Sequence, residues 1–175
     1  NTLLDNQETC LANGIGDDYA LYRGIKDPRF LALPYDLDSL MGGGNLVNSP
    51  RDGLFRMNAL PTMERLMKTP TFATIYYRTL KQLADTAFAP AQMNVFLDQV
   101  LGTWVPQPTL DKFKAFNASH IAYVLSQIPT ALTVGSDLVA SSGFPRTTEG
   151  TVSLNGQANV LTTQKVLVNG AAANY

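Results

Sequence analysis

The stretch that decides the fold is Phe30-Leu31-Ala32-Leu33-Pro34-Tyr35-Asp36-Leu37-Asp38, which runs on into Gly42-Gly43-Gly44. Its apolar first half suits a strand that stops at Pro34, because a proline ring has no N–H to give to a ladder. Two carboxylates, Asp36 and Asp38, then stand at the strand exit. The three glycines that follow form a backbone too permissive to hold regular structure unaided, which predicts a loop. Upstream, Tyr19-Ala20-Leu21-Tyr22 is a second aromatic and apolar run, separated from the first by Gly24 and Asp27-Pro28. The two runs predict a two-stranded ribbon over 18–23 and 29–33.

Before the ribbon, Leu3, Leu4 and Leu11 among polar residues, followed by Gly14, predict a short helix over 2–13. After the glycines, 42–60 is rich in Gly, Asn, Ser and Pro, with only scattered apolar anchors, and reads as an irregular segment. From Pro61 the period becomes helical. Pro61 to Met67 makes one short helix, stopped by Thr69-Pro70, and a second carries Phe72, Ile75, Tyr76, Thr79, Leu80, Leu83 and Ala87 on one stripe. Pro90 opens a third, with Met93, Phe96, Leu97, Val100 and Leu101 on one side and Gly102 at its end. A fourth runs from Leu110 to Ile128 with Phe113, Phe116, Ile121, Val124 and Ile128 in phase, closed by Pro129. Helices joined by such short connections are expected to pack as a small antiparallel bundle.

From Gly150 the character turns to Thr and Val, and Asn155-Gly156 and Asn169-Gly170 are hairpin-turn dipeptides. Only two or three strands fit there, which predicts a truncated β-rich module over 151–175. The small residues around Ser141-Ser142-Gly143-Phe144-Pro145 place a linker at 141–150, after a first region of 1–140. The fold class expected is α+β, mainly α: a small β-ribbon, a helical bundle and a short β segment.

Composition bounds the chemistry. The chain has 175 residues, 45% of them hydrophobic and 15% charged, with 13 Lys+Arg against 14 Asp+Glu. That balance is globular and offers no basic field for nucleic acid. With one Cys and one His, no zinc set of those residues can be assembled and Cys10 has no internal disulfide partner, so a metal must be held by oxygen. No apolar run approaches the roughly 18 residues of a membrane span. The first residue, Asn1 rather than Met, reads as that of a processed or excised chain.

The Asp36–Asp38 pair beside a glycine-rich loop suits a divalent cation such as Mg²⁺ with phosphate oxygens nearby, or else a solvated, turn-capping role. Asp17 and Asp18 invite the same two readings, with turn chemistry favoured by Gly14 and Gly16. Glu8 is the other early carboxylate able to reach the pair. His120, at the edge of the last apolar stripe, suits a hydrogen-bonded packing role. Trp104, Tyr76, Tyr77 and Phe116 suit core packing, Cys10 suits a buried small residue, and Asn117-Ala118-Ser119 is a glycosylation triplet inside a predicted helix.

In order and motif these residues resemble the CotH kinase family, of atypical protein-kinase-like fold. The resemblance rests on Tyr19-Ala20-Leu21-Tyr22-Arg23 followed by Phe30 through Asp38, with Tyr35 where the family has Trp in Pro-Trp-Asp-x-Asp, and on the helices up to about residue 130. It implies a kinase-like C-lobe and, in the intact parent, Mg²⁺- and ATP-dependent phosphoryl transfer to a protein hydroxyl. It implies Asp36 as the metal ligand with Asp38 as second ligand or loop organiser, and Glu8 or its neighbour Asp5 in the catalytic position. It further implies an N-terminal lobe with the ATP-gripping Lys upstream of this chain, further β domains after it, a protein substrate, an extracellular or cell-surface setting, and inactivity of this chain alone. The alternative is a non-catalytic structural or adhesion module of a bacterial surface protein; a third reading is a helical bundle with a Ca²⁺-binding acidic loop.

Overall fold

The computed structural model describes residues 1–8, 18–44, 48–58 and 60–173. The chain is α+β and mainly helical. Contacts divide it into two units, Asn1–Gln127 and Ile128–Tyr175.

The first unit opens with a 3-10 turn, Thr2–Leu4, which ends at Asp5 with φ of 52°. The predicted helix therefore shrinks to one turn over its described part, because Asp5 adopts the left-handed conformation that closes a helix, and its amide bonds back to the Thr2 carbonyl at 3.1 Å. The remainder of that prediction, with Cys10, Asp17 and the Gly14 cap, lies outside the described residues. The ribbon is as expected: β1 (Tyr19–Arg23) pairs antiparallel with β2 (Phe30–Pro34), Tyr19 facing Pro34 and Arg23 facing Phe30. The ladder runs one bond further, from the Tyr35 N–H to the Asp18 carbonyl at 3.0 Å, which fixes Asp18 beside the ribbon exit. In the predicted irregular segment, a 3-10 turn over Arg56–Asn58 places Met57 in the core.

Four α-helices follow among the described residues: α1 (Pro61–Met67), α2 (Pro70–Asp85), α3 (Pro90–Leu101) and α4 (Gln107–Gln127). The first three begin with proline in the first turn, where a missing N–H costs nothing, and none of them carries a side-chain cap bond. Helix α4 starts earlier than predicted for the same reason, since Pro108 is tolerated in its first turn. Leu80, Ala84, Met93, Leu97, Leu110, Ile121 and Val124 form the helical core. The stripe on α2 is only partly covered, Ile75 being 57% exposed. Trp104, expected in packing, is 70% exposed, its indole N–H donating to the Val100 carbonyl at 3.0 Å. Asn117 is sealed in the core and donates to the Phe88 carbonyl, so the acceptor asparagine of the glycosylation triplet is out of reach of solvent.

In the second unit, β3 (Thr133–Ser136) pairs with β6 (Leu154–Gln157), enclosing a hairpin of β4 (Ala140–Ser141) and β5 (Phe144–Pro145); β7 (Leu167–Val168) and β8 (Ala171–Ala172) form another. The strands thus begin at Thr133, ahead of the expected linker, and the 141–145 run is itself a hairpin. Its turn is Ser142-Gly143, both with positive φ, as Asn169-Gly170 is between β7 and β8. Asn155-Gly156, by contrast, lies inside β6. There the absent Cβ lets the strand approach the Thr133 carbonyl, a glycine used for closeness and not for turning.

Candidate functional site

The Asp5 turn and the ribbon exit bring four sequence-distant segments together within the first unit. Past Asp5, the Asn6 side chain accepts the Glu8 backbone N–H at 2.9 Å, a local Asx bond that holds the Glu8 backbone in its turn. The Glu8 carboxylate meets Asp38 and Ser39, on the segment leaving β2, and lies in the field of Asp18. The Ser39 hydroxyl donates to Asp38 Oδ1 at 3.3 Å, and Ser39 is wholly buried. Burial pushes the Glu8 carboxyl above its ordinary range; the Ser39 hydroxyl opposes this, and a hydrogen bond to Asp38 with the charges of Asp38 and Asp18 adds to it. A bond between two carboxyl groups requires a shared proton, which is the physical reason for that direction. Glu8 Oε2 is buried with no hydrogen-bond partner.

A second layer holds this arrangement. Asn48 donates to the Ser39 carbonyl at 3.2 Å and accepts from Gln7 Nε2 at 2.6 Å, while Gln7 Oε1 accepts from Arg56 at 3.0 Å. Asp5 belongs to a different layer. It is sealed from solvent, with Oδ2 accepting the Ser49 amide at 3.1 Å and Oδ1 unpartnered. Its carboxyl is raised to about 6, first by burial and then by Asp52, against the opposing charge of His120 and the Ser49 amide. Asp52 is ion-paired with Arg56.

Of the residues singled out from sequence, then, Glu8 and Asp38 meet, with Asp18 close by, and Asp5 is buried one layer behind. Asp36 is exposed, with a left-handed φ of 50° that turns the chain between the strand and Asp38. The glycine loop packs tightly. A Cβ on Gly42, at φ 79°, would lie 2.9 Å from the Phe116 ring, and one on Gly44, at φ 78°, would collide with Ser39. Gln7, Ser39, Asn48 and Asp52 escaped sequence reasoning because they join through tertiary contacts of polar residues with no periodic signal.

Among the described residues, no group of three or more His, Cys, Asp or Glu stands close enough to hold a metal by itself. The donors present still suit Mg²⁺, which takes one or two carboxylates and completes its shell with water and phosphate oxygens. A divalent cation beside Glu8 and Asp38 would relieve the crowding of the two carboxyl groups and partner the orphaned Oε2.

Fold and site define an α+β protein with an acidic ribbon exit backed by a glycine loop and a helical scaffold. The family model described as CotH kinase protein matches residues 1–112, and the chain belongs to that family. No curated protein and no solved structure matches the chain. No helix among the described residues is long and apolar enough to cross a membrane.

Proposed function

We propose that this chain carries the acidic half of a Mg²⁺- and ATP-dependent protein kinase site on a kinase-like C-lobe, acting on a protein hydroxyl within the intact parent. The observation that carries this reading is the meeting of Glu8 with Asp38 and Ser39 at the ribbon exit, in a family of kinase proteins. Asp36 and Asp38 are the residues assigned to hold Mg²⁺. When bound, the ion neutralises charge on the transferred phosphoryl group. Glu8 takes the acceptor proton: a carboxylate whose pKa lies above the ordinary range is the stronger base. Ser39 orients Asp38, and the Asn48–Gln7 pair fixes the spacing between the two acidic segments. The Gly43 amide is taken by the Leu40 carbonyl at 2.7 Å, which leaves the amides of Gly42 and Gly44, free of side-chain bulk, for approach to phosphate oxygens. Asp5 is a support, because a side chain without solvent access meets no substrate.

Mn²⁺ and Mg-ATP titrations by calorimetry test this on the intact parent protein, with Asp38→Asn and Asp36→Asn as controls. Metal-dependent nucleotide binding, weakened at least tenfold in both variants, is the expected result. Heat that is absent in the wild type, or unchanged in both variants, favours the non-catalytic surface module instead.

A further inference from the structure

His120 is 1% exposed and bridges two loops from the middle of α4. Its Nε2 lies 2.8 Å from the Thr2 carbonyl and its Nδ1 lies 3.0 Å from the Pro50 carbonyl. A carbonyl oxygen only accepts, so both contacts are hydrogen bonds at once only while both ring nitrogens carry hydrogen. The ring is buried, and Asp5, at the end of the turn that Thr2 begins, is the acidic group in its field. Behind Asp5 stand Asp52 and its partner Arg56, from the Pro50 side. From α2, the Tyr76 hydroxyl meets Thr2 Oγ1 at 2.7 Å, and on α4 itself the Phe116 ring lies 5.6 Å from the imidazole, centroid to centroid.

What the two carbonyls belong to gives the bridge its meaning. Thr2 heads the turn that delivers Glu8, and Pro50 follows Asn48 and Ser49, the residues that grip Ser39 and Asp5. We propose that His120 is a positioning residue for the acidic site: as a doubly donating imidazolium it pins the Thr2–Glu8 segment and the 48–52 loop to one helix, fixing the distance between Glu8 and the Ser39–Asp38 pair. This deepens the kinase reading, on which its consequence for metal binding rests.

Two near-isosteric variants separate the two bonds. An Asn amide reaches where Nδ1 sits and a Gln amide reaches where Nε2 sits, so His120→Asn keeps the Pro50 bond and His120→Gln keeps the Thr2 bond. Hydrogen exchange on the metal-free full chain should then show protection lost tenfold or more at 2–8 in His120→Asn and at 48–52 in His120→Gln, with the α4 core unchanged. Mn²⁺ affinity should fall about tenfold in both. Equal loss over both segments, or loss throughout α4, means a packing role only and overturns the proposal. If neither variant folds, long-range ¹H–¹⁵N spectra of the wild type at about pH 6, near the titration of Asp5, decide it. Two protonated ring nitrogens are expected, and a single N–H tautomer overturns it. Segment-specific exchange without any Mn²⁺ binding by the wild type leaves the bridge standing and removes the metal reading. Mn²⁺ binding equal in wild type and both variants removes the positioning role alone.

Discussion

Asp5 shows how a carboxyl group without solvent turns into a pH-dependent element of stability. Its folded pKa, raised to about 6 from 3.8, means the folded chain holds a proton that the unfolded chain releases. The associated stability is therefore full below the unfolded value and is lost as pH rises through about 6, a change on the order of 2–3 kcal/mol. Asp5→Asn keeps the shape and mimics the protonated form, so urea unfolding at several pH values should show wild type losing ground to the variant from about pH 4 to about pH 7. At Glu8 the expected outcome of Asp38→Asn is a lower carboxyl titration midpoint by ¹³C NMR, because the shared proton and one like charge both disappear. Neither environment is visible in sequence. Glu8 and Asp38 were legible as candidates, since acidic residues beside a strand exit stand out, but Asp5 was indistinguishable from Glu8 until tertiary contacts buried one and left the other at the ribbon. His120 looked like the edge of a stripe, whereas α4 turns it fully inward.

Among elements, the glycine loop makes the sharpest prediction. Gly42→Ala forces a side chain into left-handed backbone and against the Phe116 ring, and should cost about 2–4 kcal/mol by chemical denaturation. Gly44→Ala presses on Ser39 and should weaken Mn²⁺ binding more than its effect on stability alone explains, as read by calorimetry on folded protein. The ribbon and helices were readable because proline and glycine punctuate them and because apolar spacing reports a helical face. The two Asn-Gly dipeptides show the boundary of such reading: Asn169 and Gly170 both take positive φ and turn, while Gly156 serves close strand approach. A dipeptide states what a backbone is allowed to do, and pairing partners decide which allowance is used.

For the whole molecule, the division after Gln127 places every residue of the acidic site in the first unit. A chain ending at Pro129 should keep the Mn²⁺ affinity of the longer chain within about threefold and melt within a few degrees of it, by calorimetry and circular dichroism. A tenfold loss would show that the β segment supports the site. Composition changes at Gly150, whereas β3 pairs with β6 across the intervening residues. The prolines that open α1, α2 and α3 carry one more consequence. A start written into a covalent ring asks nothing of neighbours, salt or acidity, so these segments enter the collapsing chain already in phase. What is left for assembly to decide is how the rods lie across one another, and the late, searching part of folding should fall to the polar loops around Thr2 and Pro50.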